Sequence, residues 1–148
     1  MKRRYFDTAY IVKCYINESG SEQVRSVAED TDELITSDFA RVEFAAAVHR
    51  KRREKAFTRR EANAVLAQFD ADCDVGIRTF VPLRPAVLHR VREAFATLPP
   101  AIPLRSADAI HCASAVDIGV DRIHSNDRHP LGAASHFRLR AVDVTTTI

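Results

Sequence analysis

Short β-branched or aromatic stretches alternate with longer amphipathic ones along the chain, and several of the short stretches run straight into an acid. The first is Arg4-Tyr5-Phe6, which stops at Asp7-Thr8 before Tyr10 to Tyr15 resumes with helical spacing. Strands that alternate with helices give a mostly parallel sheet with helices on both faces. The expected architecture is therefore a three-layer α/β/α fold with roughly five strands. Ligands of such sheets bind beyond the carboxyl ends of the strands, so the first strand delivers the Asp7 carboxylate to that edge. By itself this proves little, because Asp and Thr are also good helix N-caps.

The later stretches repeat the theme. Leu34-Ile35-Thr36 reads as a second strand, and Ser37 or Asp38 caps a helix carrying Phe39, Val42, Phe44, Ala46, Ala47 and Val48. Glu43 falls on the apolar face of that helix, four residues after Phe39. An inward acid needs a cation, a proton or a hydrogen-bonding partner, unless it sits at the edge of the face and reaches water. Thr58-Arg59-Arg60-Glu61 has capping-box form and opens a helix with Ala62, Val65, Leu66, Phe69 and Cys73 on one side, so two helices form a hairpin here. Arg78 to Leu83 gives a third strand, Pro85 suits the first turn of the next helix, and Leu98 to Pro103 is a stiff loop.

Ser106 is the expected cap of a helix running to about Ile118, with Gly119 as its stop. Asp108 falls in the first turn, where the helix dipole favours a carboxylate. His111, three residues on, has the spacing to share a metal with Asp108, but a histidine on so apolar a helix reads better as a packed, hydrogen-bonded side chain. Asp121 to Asp127 is a short strand entering the polar turn Ser125-Asn126-Asp127, the Asp7 arrangement again, and Arg138 to Val144 alternates as a last half-exposed strand should.

At 148 residues, with 46% hydrophobic and 28% charged side chains, the chain reads as one globular domain spanning 1–148. No apolar run approaches the roughly 20 residues of a membrane span. Asp7 also interrupts the basic start before a signal-length apolar run develops. A cytoplasmic protein without membrane contact is expected. Cys14, Cys73 and Cys112 are odd in number and widely spaced, the pattern of reduced thiols and not of a disulfide framework or zinc site. The net charge of +2 is too small to imply a nucleic-acid partner, yet seven of the 22 basic residues lie between Arg50 and Arg60. Arg50, Lys51, Arg52 and Arg53 are the candidates there for phosphate contact, against the plainer reading of a solvated helix end.

Asp7, Glu43, Asp108 and Asp127 all reach the same sheet edge in this architecture. Four carboxylates together repel, so at least one should hold its proton to unusually high pH, and removing a charge, as in Asp108→Asn, should stabilise the ion-free protein. A hard divalent ion with oxygen ligands, Mg²⁺ or Mn²⁺, is the natural partner of such a set.

Phe6-Asp7-Thr8, Thr36-Ser37 through Val42-Glu43, Ser106 through His111, and Ser125-Asn126-Asp127 together resemble the four acidic motifs of PIN-domain ribonucleases. They are most similar to the VapC-type toxins of toxin–antitoxin pairs. The chain departs from that pattern in a short first strand preceded by three basic residues, and in Ser125 where Thr is common. The resemblance implies a metal-dependent endoribonuclease whose ion activates water against an RNA phosphodiester. Asp7 and Asp108 would be direct ligands, and Glu43 and Asp127 would complete the shell, hold a second ion or orient the water. Thr8 and Ser125 would support by hydrogen bonds. It also implies a homodimer and a small cognate antitoxin whose C-terminal segment wraps the toxin. Tyr10, Ile11, Tyr15 and the helix from Val42 to Val48 offer apolar material for such a groove, unless they are core. A non-catalytic module that binds RNA or protein is the main alternative. An aspartate-nucleophile phosphatase is disfavoured, because the second acid it needs two residues after Asp7 is Ala9.

Overall fold

Tyr5 and Phe6 are adjacent in the first strand, β1 (Arg3–Phe6), and both are fully buried. Successive side chains of a strand point to opposite faces, so the sheet is covered on both sides. The computed structural model describes residues 1–146. After β1 come α1 (Thr8–Tyr15), α2 (Ser21–Glu29), β2 (Glu33–Ser37), α3 (Phe39–Arg53), α4 (Arg59–Asp74) and β3 (Thr79–Val81). They are followed by α5 (Pro85–Thr97), α6 (Ser106–Asp117), β4 (Arg122–His124), α7 (Arg128–Ala133), a 3₁₀ turn (Ala134–Phe137) and β5 (Arg140–Val142).

The five strands form one sheet in the order β3-β2-β1-β4-β5, with every pairing parallel. Tyr5 faces a core built with Val87, Ala94, Ala109, Cys112 and Ala113 of α5 and α6. Phe6 faces a second core built with Tyr10, Ile11, Val24, Phe44 and Phe69 of α1 to α4. Phe44 and Phe69 stack with ring centroids 4.1 Å apart, which fastens the α3–α4 hairpin. The expected three-layer fold with about five strands is the one observed.

This strand order sets the site. From β1 the chain steps outward to β2 and β3, then crosses back to β4 on the other flank of β1. The order reverses between β1 and β4, and that reversal opens a crevice beyond their carboxyl ends. The Asp7 N–H donates to the His124 carbonyl at 3.1 Å, so the two strands run side by side up to the crevice.

Local chemistry follows the sequence in most places. The Thr58 hydroxyl accepts from the Glu61 N–H, and Glu61 accepts from the Thr58 N–H, which completes the capping box. Gly119 follows α6 at φ +81°, a conformation glycine adopts without strain. Ser106 differs from expectation. It is the first residue of α6 and makes no capping bond, because the helix begins one residue earlier, at an N-cap Arg105 whose carbonyl accepts from Ala109. The last strand is also shorter than its alternation suggests. Arg138 takes a left-handed conformation (φ +59°) that ends the 3₁₀ turn, so pairing starts only at Arg140. Among the described residues no helix is long and apolar enough to cross a membrane.

Candidate active site

Asp7 ends β1 and caps α1. Its backbone is extended, and its Oδ1 accepts from the Tyr10 N–H at 3.1 Å. The bland capping role is therefore real, yet the same carboxylate opens into a cavity of about 450 Å³ at the crevice. Thr8, Glu43, Asp108 and Asp127 line the same cavity, with His111 and Arg105 beside them. The four acids singled out from the sequence thus meet in one place, drawn from α1, α3, α6 and the turn after β4.

Their surroundings differ. Asp7 is 5% exposed, and burial pushes its carboxyl up to about 6, with the Asp108 charge adding to the rise. His111, the Ser125 hydroxyl and the Tyr10 N–H oppose this without cancelling it. Glu43 moves the other way. Burial alone would raise it, but the His111 ring and the Thr8 hydroxyl together hold it below the ordinary range. Thr8 Oγ1 donates to Glu43 Oε1 at 2.7 Å, and His111 Nε2 lies 2.7 Å from the same oxygen. An ionised carboxylate only accepts, so Nε2 carries a hydrogen. On its far side the ring meets the buried Tyr5 hydroxyl through Nδ1 at 2.8 Å. His111 is a hydrogen-bonded, packed side chain, as its apolar helix implies, and it also fixes Glu43.

Asp108 and Asp127 are held by one guanidinium. Arg105 Nε donates to Asp108 Oδ2 at 2.8 Å, and a terminal nitrogen of Arg105 donates to Asp127 Oδ2. The other Asp127 oxygen accepts from the His129 N–H at 2.9 Å and caps α7, while Ser125 Oγ accepts from the Asp127 N–H at 3.0 Å. Both hydroxyls expected to support the acids therefore do so in different ways: Thr8 binds Glu43 directly, and Ser125 shapes the turn that carries Asp127.

Among the described residues no three acidic, histidine or cysteine side chains are arranged to hold an ion as they stand. Arg105 explains this, because it turns two of the four carboxylates toward itself. The donors are nonetheless all carboxylate oxygens of the kind a hard divalent ion takes. Asp7 is a buried carboxylate with raised proton affinity, and a bound cation would favour its ionised form. The residues fit such an ion. Burial is the main cause of the rise at Asp7 and the Asp108 charge a smaller addition, so Asp7→Asn is expected to stabilise the ion-free protein as well.

Residues 4–134 match the PIN domain family. The chain belongs to the PIN-domain family. PIN domains are generally nucleases and generally use divalent metal ions. No curated protein matches the chain. Among solved structures this PIN domain is similar to Rickettsia felis VapBC2 bound to a DNA fragment from its promoter, at 11% identity and TM-score 0.66. That match covers 95% of this chain and 98% of that one. It is also similar to FitAcB from Neisseria gonorrhoeae, at 14% identity and TM-score 0.65 over 95% and 96% of the two chains. A third match is FitAB bound to the IR36 DNA fragment, at 13% identity and TM-score 0.65 over 97% and 96%. At such identities the likeness is one of fold.

Of the four basic candidates in the PIN domain's α3, Arg50 and Lys51 line the cavity, and Arg52 and Arg53 do not. Helical phase accounts for this. Positions seven and eight after Glu43 share its face, whereas Arg52 and Arg53 turn away from it. Arg105 was not among the sequence candidates, and no periodicity marks a long side chain that folds back over its own helix start. The expected apolar groove is corrected in part. Tyr10, Ile11, Phe44 and Val48 are buried in the α1–α4 core, whereas Val42, at 63% exposure, Ala45 and Ala46 are open to solvent.

Proposed function

We infer that this PIN domain is an endoribonuclease that requires Mg²⁺ or Mn²⁺ and acts as the toxin of a toxin–antitoxin pair. The observation that carries the reading is the convergence of Asp7, Glu43, Asp108 and Asp127 on one cavity at the reversal of strand order, with Arg50 and Lys51 at its side. A divalent ion bound there supplies a lowered pKa for water and positive charge against the phosphodiester. Asp7 and Asp108 would hold it. Glu43, fixed by Thr8 and His111, would orient water or complete the shell, and Asp127 would complete the shell. The cavity is open to solvent, and its basic side admits a backbone phosphate without selecting a base.

The toxin assignment draws on the resemblance of the four acidic motifs to VapC-type toxins and on fold likeness to VapBC2 and FitAB, both bound to DNA fragments. A cognate antitoxin is accordingly the proposed partner, with a homodimer as the proposed assembly.

End-labelled RNA incubated with the purified chain tests the reading. Fragments are expected with Mg²⁺ or Mn²⁺ and none with EDTA. RNA left intact under every ion condition would remove the nuclease assignment and favour the non-catalytic binding module.

The phosphate role of the basic pair has its own expected result. Arg50→Gln with Lys51→Gln should raise KM for RNA several-fold with little change in kcat, and should flatten the salt dependence of binding by about one to two charges. The Arg52→Gln, Arg53→Gln pair should do neither. Equal effects of the two pairs, in KM and salt slope, would show that the cavity side of α3 has no special part in binding.

A further inference from the structure

Arg105 sits where its backbone cannot drift. It is the N-cap of α6, with φ −91° and ψ 157°, and its carbonyl accepts the Ala109 N–H at 3.0 Å. From that fixed point the side chain folds back over the first turn and spans two elements. Nε lies 2.8 Å from Asp108 Oδ2, one terminal nitrogen lies 3.4 Å from Asp108 Oδ1, and the same nitrogen donates to Asp127. The Asp108 and Asp127 side chains are 11% and 28% exposed, whereas Arg105 is 59% exposed. An exposed cation thus covers two more deeply set acids.

Those are two of the four acids that the proposed function assigns to the ion, and this inference rests on that assignment. Arg105 engages both Asp108 oxygens and one Asp127 oxygen, and the second Asp127 oxygen is already used to cap α7. A divalent ion approaching Asp108 and Asp127 meets a guanidinium already bonded to them, and two cations on the same oxygens repel. We propose that Arg105 is a built-in counter-ion of the carboxylate site, which a divalent ion must displace from Asp108 and Asp127 in order to bind.

Arg105 is then a positioning residue that sets ion affinity. Its exposure makes displacement feasible, because the arm swings into solvent without opening either core. Its bonds are charge-assisted and forked, so the displacement still has a cost. The Arg105 hydrogen bonds go to Asp108 and Asp127. Its charge also acts on Glu43, but Asp7 and Glu43 are not bonded to it among the described residues, which leaves a foothold for the ion before the guanidinium departs. In the ion-free protein Arg105 also relieves the repulsion between Asp108 and Asp127.

The test is calorimetric titration of Mn²⁺ into the full chain at neutral pH, with melting curves in EDTA. Arg105→Met, which keeps the stem and loses the charge, should bind Mn²⁺ about tenfold more tightly than wild type and melt at a lower temperature in EDTA. Arg105→Lys keeps the charge without the fork and should fall between the two; it carries the test alone if Arg105→Met does not fold. Mn²⁺ binding by the variants that is no tighter than wild type, or absent in all three proteins, would overturn the proposal. Cleavage of labelled RNA by wild type is a separate readout. If the variants tighten Mn²⁺ binding but no protein cleaves RNA, the nuclease reading fails and the counter-ion stands. If wild type cleaves and the variants bind no more tightly, the reverse holds.

Discussion

Asp7→Asn is expected to abolish RNA cleavage, by at least about a thousandfold, and at the same time to make the ion-free protein more stable near neutral pH. The two effects share one cause. The Asp7 carboxyl sits at about 6 in the folded chain against 3.8 for the free group, chiefly because it is buried. The folded state therefore binds this proton more tightly than the unfolded state. The stabilisation it confers is full below pH about 3.8 and is lost as pH climbs to about 6. Above that the wild type carries a buried charge with a penalty on the order of 2–3 kcal/mol. Asparagine keeps an oxygen for the Tyr10 N–H, so the cap of α1 survives the substitution. Melting in EDTA from pH 4 to pH 8 should give curves for wild type and variant that nearly coincide at the acid end and separate by pH 7, with the variant higher. Parallel curves would show that Asp7 carries no such penalty.

His111→Leu should destabilise the fold by about 2–4 kcal/mol, the usual cost of leaving buried polar groups without partners. The ring bridges the fully buried Tyr5 hydroxyl and the Glu43 carboxylate, at 2.8 Å and 2.7 Å. Leucine satisfies neither. Ser114 Oγ is buried and, among the described residues, without a hydrogen-bond partner, so it can take up part of the loss on the Tyr5 side. Tyr5→Phe in the His111→Leu background should therefore recover some stability, while Tyr5→Phe alone should cost some. Glu43 would keep only the Thr8 hydroxyl and become free to turn, so cleavage should fall together with stability. Urea titration of the four proteins gives the coupling between Tyr5 and His111. Strictly additive costs would mean that the buried bond contributes nothing to the fold.

The acids were legible because their positions are local facts. Asp7 and Asp127 each follow a short apolar strand, and Asp108 falls in the first turn of a helix; strand period and helix start suffice to bring them to one edge. Glu43 was visible as an acid out of place on an apolar face. What they do to one another was not legible, since it depends on contacts between elements far apart in sequence. Thr8 and Glu43 are 35 positions apart, and Glu43 and His111 are 68 apart. No spacing rule shows that Glu43 is tied to His111 or that Arg105 bridges Asp108 and Asp127. The expected repulsion is present at Asp7 only as a small addition from Asp108; burial, which no spacing rule reveals, raises that carboxyl more. The basic run is an intermediate case. Helical phase alone, counted seven and eight residues on from Glu43, separates Arg50 and Lys51 from Arg52 and Arg53. Tyr10 and Ile11 were ambiguous for a different reason: an apolar face looks the same in sequence whether a partner or the chain's own sheet covers it.

On this reading the four carboxylates form one site for a divalent ion, with Asp7 at its heart. Mn²⁺ titrated into wild type and into Asp7→Asn under identical conditions tests it most directly. Wild type is expected to bind at a saturable site, with release of protons below pH 6 as Asp7 gives up its own, and Asp7→Asn to bind at least about tenfold more weakly. Equal affinity in the two proteins, with no difference in proton release, would contradict the account.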